Sequence, residues 1–305
     1  MPNGEVENIQ DQPIGVFDSG LGGLTVVREL MGAMPGEDIV YLGDSARAPY
    51  GTKSLETVRR FAMEDAGFLL RFGPKLIVVA CNTASAAAID ELEKACPVEV
   101  VDVIRPGAAA AIEKTDRLIG VVGTKATICS GAYERCIRAI QPDRPVFSTA
   151  CPLLVPIVEE GRAENDPIVL AVLTDYLREL QRERPGALIL GCTHYPLLAE
   201  AFAKLMGPDV PLISSSLAVA KEVQRRLSLA GRQTARTYGG RLRCFTTDRP
   251  EEFQRLGERF GGRRIDQIEH VATEELERSS LARRRERAKT RKTDRPAGRR
   301  AGRQP

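Results

Sequence analysis

The sequence predicts an α/β fold of two similar lobes, each a mainly parallel sheet flanked by helices, with a ligand cleft between them. Three observations predict it. Short unbroken apolar runs alternate with longer helical patterns, the opening phrase of the chain recurs in its second half, and two cysteines follow apolar runs in corresponding places. Alternating strands and helices are typical of α/β proteins with parallel sheets.

The predicted strands are short apolar runs. Most are unbroken rather than alternating, as expected for strands buried on both faces of a parallel sheet. Helical patterns separate many of them, because apolar residues recur at three- and four-residue steps over residues 55–72 and 168–180. The nine predicted strands cover residues 14–17, 39–43, 76–80, 99–103, 118–122, 145–149, 187–190, 210–213 and 243–246.

An internal repeat indicates how the lobes are arranged. The phrase IGVFDSGLGG begins at Ile14 and is echoed by IGVVGTKAT from Ile119, and a cysteine phrase follows later in each half. Because ligands bind at the carboxyl ends of parallel strands, we expect the lobes to face each other across a cleft. The expected units are a first lobe of residues 13–105 and 216–272, a second lobe of residues 106–215 and a tail of residues 273–305.

Composition argues against several classes of protein. Aromatic residues make up 5% of the 305 residues and tryptophan is absent, which disfavours a stacking platform for single-stranded nucleic acid. No apolar run approaches the length of a membrane span, and the polar first residues do not resemble a secretory signal. The seven scattered cysteines include no CxxC pair, so we expect reduced thiols and a cytoplasmic location.

The basic charge is concentrated at the end of the chain. Residues 283–305 contain eleven Lys and Arg against two acidic residues, so the rest of the chain is mildly acidic. Because apolar residues are also lost there, we expect a disordered, solvated tail. The alternative that its charge allows is binding of nucleic acid or another acidic partner, which nothing else in the sequence supports.

Cys81 and Cys192 are the strongest candidates for chemistry. Each is predicted to follow a strand and precede a helix, whose N-terminus favours a thiolate and lowers the thiol pKa from about 8.5. The polar residues that follow them, and that point to a polar ligand, are Asn82, Thr83, Thr193 and His194. The other cysteines lack this context and are interpreted as small buried apolar residues.

Two cysteines from opposed lobes could form a disulfide, bind a metal, or act as an acid and a base. The chain has two histidines, and the spacing of Cys192 and His194 does not suit zinc, so we expect no metal. A redox dithiol usually lies in one CxxC loop. The remaining interpretation is proton transfer without a cofactor. One thiolate removes a proton from a carbon and the other thiol returns one to the opposite face, which inverts a stereocentre.

Two loops are further candidates for ligand contact. In FDSGLGGLTVVREL, Asp18 and Ser19 precede a glycine-rich turn whose spacing is not the GxGxxG of dinucleotide sites. Such a turn presents N–H groups to an anion, and Asp18 is alternatively a plain helix N-cap. In YLGDSARAPYGTKS, Tyr50 and Gly51 form either a ligand-facing turn or part of a simple connector.

Taken in order, six phrases resemble the glutamate racemases of the aspartate/glutamate racemase superfamily. They are IGVFDSGLGGLTV, YLGDSARAPYG, VVACNTASA, GVVGTKATICSGAY, CPLLVPIVEEG and LILGCTHYPLL. The resemblance covers about residues 14–265. It implies a two-lobed fold with the substrate in the cleft, no cofactor, and Cys81 and Cys192 as the paired acid/base thiols.

The resemblance also implies the remaining roles. The implied auxiliary catalytic residues are Asp18, Glu159 and His194. The implied substrate contacts are Asp18, Ser19, Tyr50, Gly51, Asn82, Thr83, Thr193 and His194. The implied activity interconverts L- and D-glutamate in a homodimer and supplies D-glutamate for peptidoglycan. Ser45 and Arg105 depart from the residues usual in the family, and the tail lies outside its pattern.

Three alternatives stay open from the residues alone. The nearest is a racemase for another acidic amino acid, notably aspartate, because paired thiols suit both substrates. A second is a non-catalytic module that holds an amino acid in a two-lobed cleft. A third is a protein that binds an acidic partner through its basic tail, in which case binding would be sensitive to salt.

Overall fold

A computed structural model describes residues 8–265 and 267–281 of the chain. Within these residues, strands form two separate sheets, one of six strands and one of four. The strands are β1 Ile14–Asp18, β2 Ile39–Gly43, β3 Leu76–Val79, β4 Glu99–Asp102, β5 Ile119–Gly123, β6 Val146–Ala150, β7 Ala187–Gly191, β8 Leu212–Ser214, β9 Leu242–Thr246 and β10 Ile268–His270.

Helices cover the faces of both sheets. They are α1 Leu24–Ala33, α2 Leu55–Leu69, α3 Asn82–Ala95, α4 Ile104–Lys114, α5 Lys125–Ser130, α6 Ala132–Ile140, α7 Leu154–Glu159, α8 Pro167–Glu183, α9 Ala199–Met206, α10 Ser215–Leu229, α11 Pro250–Gly261 and α12 Thr273–Ser279. Local caps fix several starts: Ser54 Oγ accepts from the Thr57 N–H before α2, and Asp166 caps α8. Among the helices of the described residues, none has the length and apolar character needed to span a membrane.

Every strand pairing in the two sheets is parallel. The strand order is β10-β9-β2-β1-β3-β4 in the first sheet and β6-β5-β7-β8 in the second. The segment β2-β1-β3-β4 therefore matches the second sheet strand for strand, with β1 equivalent to β5 and β3 to β7. This confirms the predicted α/β fold with two similar lobes. The repeated phrases from Ile14 and Ile119 begin equivalent strands.

Unbroken apolar strands supply two cores. Every residue of β1, β2, β3, β5 and β7 is buried, which explains the absence of alternation in their sequences. Alternate side chains of the first sheet enter different cores, Val16 and Val78 on one face and Phe17 and Val79 on the other. The core that holds Val16 continues into the second lobe, so the two lobes share one apolar interior.

The end of the chain differs from its prediction in two places. Strand β10 was not predicted, because it is short, polar and largely exposed at the edge of the sheet beside β9. The predicted start of the tail at residue 273 is wrong, since Thr273–Ser279 form helix α12 and Leu276 is fully buried where α12 packs on α2. The burial of Leu276 orders this helix, although most of its other residues are charged. Residues 282–305, predicted to be disordered, lie outside the described residues.

Replacing Leu276 with alanine tests whether α12 belongs to the folded body. Leu276 is 0% exposed, so Leu276→Ala should lower the free energy of unfolding by about 2–5 kcal/mol through lost burial and a new cavity. Urea denaturation followed by circular dichroism measures the change. The control Leu229→Ala removes a leucine that is 76% exposed and should cost less than about 0.5 kcal/mol. Equal midpoints for the two variants would contradict the packed position of α12.

Candidate active site

A cavity of about 240 Å³ lies between the lobes at the carboxyl ends of both sheets. It is smaller than the roughly 300–1,000 Å³ of pockets for drug-sized ligands, so it suits a small metabolite. The first lobe lines it with Ser19, Pro49, Tyr50, Gly51, Thr52, Cys81, Asn82 and Thr83. The second lobe lines it with Thr124, Lys125, Pro152, Val155, Pro156, Glu159, Cys192, Thr193 and His194. Of the predicted site residues, Asp18 alone is not part of this lining.

Cys81 occupies the turn between β3 and α3, where it caps the helix. Its Sγ lies 3.4 Å from the Ala84 backbone nitrogen and 3.8 Å from Ser19 Oγ. Burial raises the pKa of the thiol to about 12, and the nearby Asp18 carboxylate adds to this effect, although the contacts with Ala84 and Ser19 oppose it. The prediction that the helix N-terminus lowers this pKa is therefore wrong, because the loss of water outweighs the partial charge of the helix.

Asp18 ends β1 close to Cys81 and is fully buried. Its Oδ2 accepts from the Gly20 N–H at 3.0 Å, while its Oδ1 has no hydrogen-bond partner within the described part of the chain. Burial raises the pKa of Asp18, and the charge of His194 acts in the opposite direction. The alternative role as a helix N-cap is wrong, because the residue that caps α1 is Gly23.

Cys192 follows β7 and faces a buried histidine. His194 Nδ1 lies 3.8 Å from Cys192 Sγ and 3.4 Å from Thr193 Oγ1, and His194 Nε2 lies 2.9 Å from Glu159 Oε1. Burial lowers the pKa of His194, but hydrogen bonds and charges from Cys192 and Glu159 outweigh it and raise the pKa to about 10. The imidazole therefore carries hydrogens on both nitrogens near neutral pH, one facing a sulfur and one facing a carboxylate.

Asn82 opens α3 and offers an unused donor to the cavity. Its Oδ1 accepts from the Tyr133 hydroxyl at 2.6 Å, whereas its buried Nδ2 has no hydrogen-bond partner in residues 8–265 and 267–281. Leaving a buried polar group unpaired costs about 1–3 kcal/mol. Because Asn82 lines the cavity, a ligand carboxylate is a suitable acceptor for this amide.

The sequence interpretation missed two polar residues that the second lobe contributes to the cavity. Thr124 and Lys125 line the cavity. The Thr124 hydroxyl lies 2.9 Å from both the Thr83 and the Thr127 hydroxyl, which ties the two lobes together. These residues belong to the phrase GTKAT, which begins at the end of β5 as FDSGLGG begins at the end of β1. The internal repeat was therefore the signal that could have identified them.

Glycines mark the places where the lobes touch. A Cβ on Gly22 would lie 2.1 Å from Thr193 Oγ1, and a Cβ on Gly51 would lie 2.6 Å from Thr124 Cβ. A side chain at either position would push the lobes apart. Within the described chain, the glycines of the GLGG turn do not line the cavity, and the Gly20 N–H is used by Asp18. Gly22 and Gly23 thus serve close packing rather than the anion binding that was expected of the turn.

The fold and this cavity define a racemase of the two-lobed α/β type, with one cysteine at the end of an equivalent strand in each lobe. The family model described as Asp/Glu/Hydantoin racemase matches residues 24–223. On the evidence of this match and of the relatives that follow, the chain belongs to the glutamate racemase family.

The relatives match over most of their length. The glutamate racemase of Syntrophus aciditrophicus is 45% identical over 260 residues, which are 85% of this chain and 96% of that protein. The crystal structure of glutamate racemase isoform RacE1 from Bacillus anthracis has a TM-score of 0.83 at 41% identity, covering 86% of this chain and 98% of its own. The Francisella tularensis glutamate racemase, solved in complex with D-glutamate, has a TM-score of 0.81 at 41% identity with the same two coverages.

Likeness to an aspartate racemase is limited to the fold. The Picrophilus torridus aspartate racemase has a TM-score of 0.51 at 17% identity, covering 73% of this chain and 95% of its own. The shared fold agrees with a common architecture, whereas the identity favours the glutamate branch of the family.

The Glu159 carboxylate should control the titration of His194. Glu159→Gln removes a charged acceptor from Nε2, so the pKa of His194 should fall below its value of about 10. An NMR pH titration measures it, and His194→Gln assigns the signal because the chain has two histidines. The matched control Glu160→Gln changes the adjacent, exposed glutamate and should leave this pKa unchanged. The same fall in both variants would show that the effect is not specific to Glu159.

Proposed function

We propose that the protein interconverts L-glutamate and D-glutamate by proton transfer at the α-carbon between two cysteines. The observation that carries the proposal is the pairing of Cys81 and Cys192 at the ends of equivalent strands, on the same small cavity, from opposite lobes. Inversion of a stereocentre requires a base on one face of the carbon and an acid on the other. Two thiols that reach a cavity from opposed lobes meet this requirement.

The substrate would be held by polar groups that the cavity already presents. The unpaired Asn82 amide is a donor for a carboxylate, and the hydroxyls of Thr83 and Thr193 lie in the same lining. Lys125 adds an exposed cation, which suits a substrate with two carboxylates. The Asp18 carboxylate lies near Cys81 in dry surroundings, and its Oδ1 has no hydrogen-bond partner among the described residues. It would therefore favour a cationic amino group of the substrate close to Cys81.

The surroundings of the two thiols suggest how protons move. In one direction the Cys192 sulfur, as thiolate, forms an S–H bond with the α-hydrogen, and the electron pair of the broken C–H bond remains on the α-carbon. Cys81 then gives its S–H hydrogen to the opposite face and becomes the thiolate. The reverse direction exchanges the two roles. His194, hydrogen-bonded to Cys192 and to Glu159, is placed to stabilise negative charge on the Cys192 sulfur.

The weak acidity of an amino-acid α-hydrogen makes preorganisation essential. An ordinary thiolate is a poor base for it, so positioning and a water-excluded site must supply most of the reduction in barrier. Cys81 and Cys192 are only 5% and 6% exposed, which satisfies the second condition. We propose that residues 13–105 with 216–272 and residues 106–215 act as the two units that close over the substrate.

We further propose that the enzyme works in the cytoplasm as a homodimer and supplies D-glutamate for peptidoglycan. The family membership supports the physiological role and the dimer. The cysteine composition without CxxC pairs supports a reducing compartment. Sedimentation velocity of the full chain measures the assembly directly, and a species of about 33.3 kDa would contradict the dimer.

Proton exchange at the α-carbon tests the proposed activity. The purified protein under reducing conditions in D₂O should abolish the optical rotation of L-glutamate while the α-proton NMR signal disappears. Cys81→Ala and Cys192→Ala should each lower the rate of inversion by about 10²–10⁴-fold, because each removes an acid or a base. L-aspartate, assayed in parallel, should be turned over much more slowly.

A third cysteine supplies the control for these variants. Cys244 is buried in β9 and does not line the cavity, so Cys244→Ala should retain wild-type turnover. If glutamate binds but neither signal changes in the wild type, the cleft is a binding site and the thiols are not its acid and base. Faster inversion of aspartate than of glutamate would instead assign the other acidic substrate.

A further inference from the structure

A buried charged cluster supports the Tyr50 wall of the cavity and takes no part in the proposed proton transfer. Arg47 is its centre. The Arg47 Nε donates to Asp44 Oδ2 at 2.6 Å, and one terminal nitrogen donates to Asp65 Oδ1 at 3.0 Å. The other terminal nitrogen contacts Glu64. Asp44 and Asp65 are fully buried and Glu64 is 5% exposed, so one guanidinium faces three carboxyl groups in a nearly dry interior.

The hydrogens in this cluster can be counted. The Tyr50 hydroxyl contacts Asp44 Oδ2 and also lies 2.9 Å from Asp65 Oδ2. A phenol hydroxyl carries one hydrogen, which can be donated to one of these two carboxyl oxygens. The second oxygen–oxygen contact lies at hydrogen-bond distance and therefore needs another hydrogen. Since neither contact includes another donor, that hydrogen must come from a carboxyl group.

Asp65 is the carboxyl group that can supply it. Both oxygens of Asp44 already accept, because Oδ1 receives the Thr247 hydroxyl at 3.0 Å and Oδ2 receives Arg47 Nε. On Asp65, by contrast, Oδ1 accepts from Arg47 while Oδ2 faces only the Tyr50 hydroxyl among the hydrogen bonds of the described residues. A proton on Asp65 Oδ2 completes the chain from Asp65 through Tyr50 to Asp44.

The charges favour the same assignment. With three ionised carboxylates and one arginine, the buried cluster would carry two uncompensated negative charges, which is costly in a dry interior, and a proton on Asp65 removes one of them. Burial and the Asp44 charge raise the pKa of Asp65 well above its usual range, although Arg47 opposes them. The charged and titratable groups that act on the cluster are Asp44, Arg47, Tyr50, Arg60, Glu64 and Glu277.

We propose that Asp65 is a positioning residue, protonated in the folded protein, whose carboxyl hydrogen is donated to Tyr50 and holds the Tyr50 side of the substrate cavity in place. The consequence reaches the other lobe, because Gly51 adjoins Tyr50 and packs against Thr124. A displaced Tyr50 would therefore disturb both the cavity wall and a contact between the lobes. The kinetic part of the test rests on the proposed racemase function, whereas the protonation of Asp65 does not.

Two conservative variants in the same cluster separate the possibilities. Asp65→Asn keeps an acceptor for Arg47 and a donor for Tyr50, so its KM for glutamate should stay within about twofold of wild type. Asp65→Ala removes the donor and should raise KM about tenfold with a smaller change in kcat. The matched variant Asp44→Asn replaces one acceptor oxygen with an NH2 group, which would face either the Thr247 hydroxyl or the Arg47 and Tyr50 donors, and should raise KM like Asp65→Ala.

The pH profile and an infrared measurement complete the test. At alkaline pH, ionisation of Asp65 should raise the wild-type KM, and Asp65→Asn should lack this rise. The infrared difference between wild type and Asp65→Asn should show the C=O band of a protonated carboxyl group at neutral pH. This band does not depend on catalysis. An inactive wild type that shows the band would therefore refute the racemase proposal but not the protonation of Asp65. If the band is missing, or if Asp65→Asn raises KM as Asp65→Ala does, Asp65 is ionised and the inference is overturned.

Discussion

Parallel strand pairing with the same order in both sheets is the constraint on which the site depends. It sends the carboxyl ends of β3 and β7 to the inter-lobe cavity, so the residues after these strands, Cys81 and Cys192, approach it from opposite lobes. The lobes are then held at close range by hydrogen-bonded hydroxyls. Thr25 Oγ1 lies 3.1 Å from the Thr193 carbonyl oxygen, and the Thr83 hydroxyl lies 2.9 Å from the Thr124 hydroxyl. The topology determines which groups meet, and the small residues at the contact between the lobes determine how closely the lobes approach each other.

Burial then decides the electrostatics of the site. For Cys81, the loss of water outweighs the favourable end of α3, and the buried Asp18 carboxylate acts in the same direction as the loss of water. For His194, two hydrogen-bonded acceptors outweigh the burial that would otherwise favour the neutral ring. The two thiols are equivalent in topology but differ in surroundings, one beside a carboxylate and the other beside an imidazolium. A dry site with fixed charges of both signs can stabilise charge as it moves between two sulfurs.

The sequence predicted most of the fold because its signals are local. Unbroken apolar runs identify strands buried on both faces, and the echo of Ile14 at Ile119 identifies equivalent strands. What the sequence could not predict depends on contacts between distant segments. Helix α12 is ordered by the burial of Leu276 against α2, and the roles of Thr124 and of the glycine turn follow from how the lobes meet. The prediction of a lowered Cys81 pKa was wrong for the same reason, since solvent exclusion is a property of the assembled fold.

The unequal surroundings of the thiols are compatible with a reaction between enantiomers. L- and D-glutamate have identical free energies in water, so no arrangement of Asp18, His194 or Glu159 can favour one product at equilibrium. When the equilibrium constant is one, kcat/KM is the same for both enantiomers. If the asymmetry of the site makes KM differ between them, kcat must therefore differ by the same factor. A sulfur whose surroundings favour one bound enantiomer lowers its KM and, by stabilising that ground state, lowers the corresponding kcat. In the proposed mechanism, the cavity can thus use two chemically different environments for its acid and its base and still catalyse racemisation.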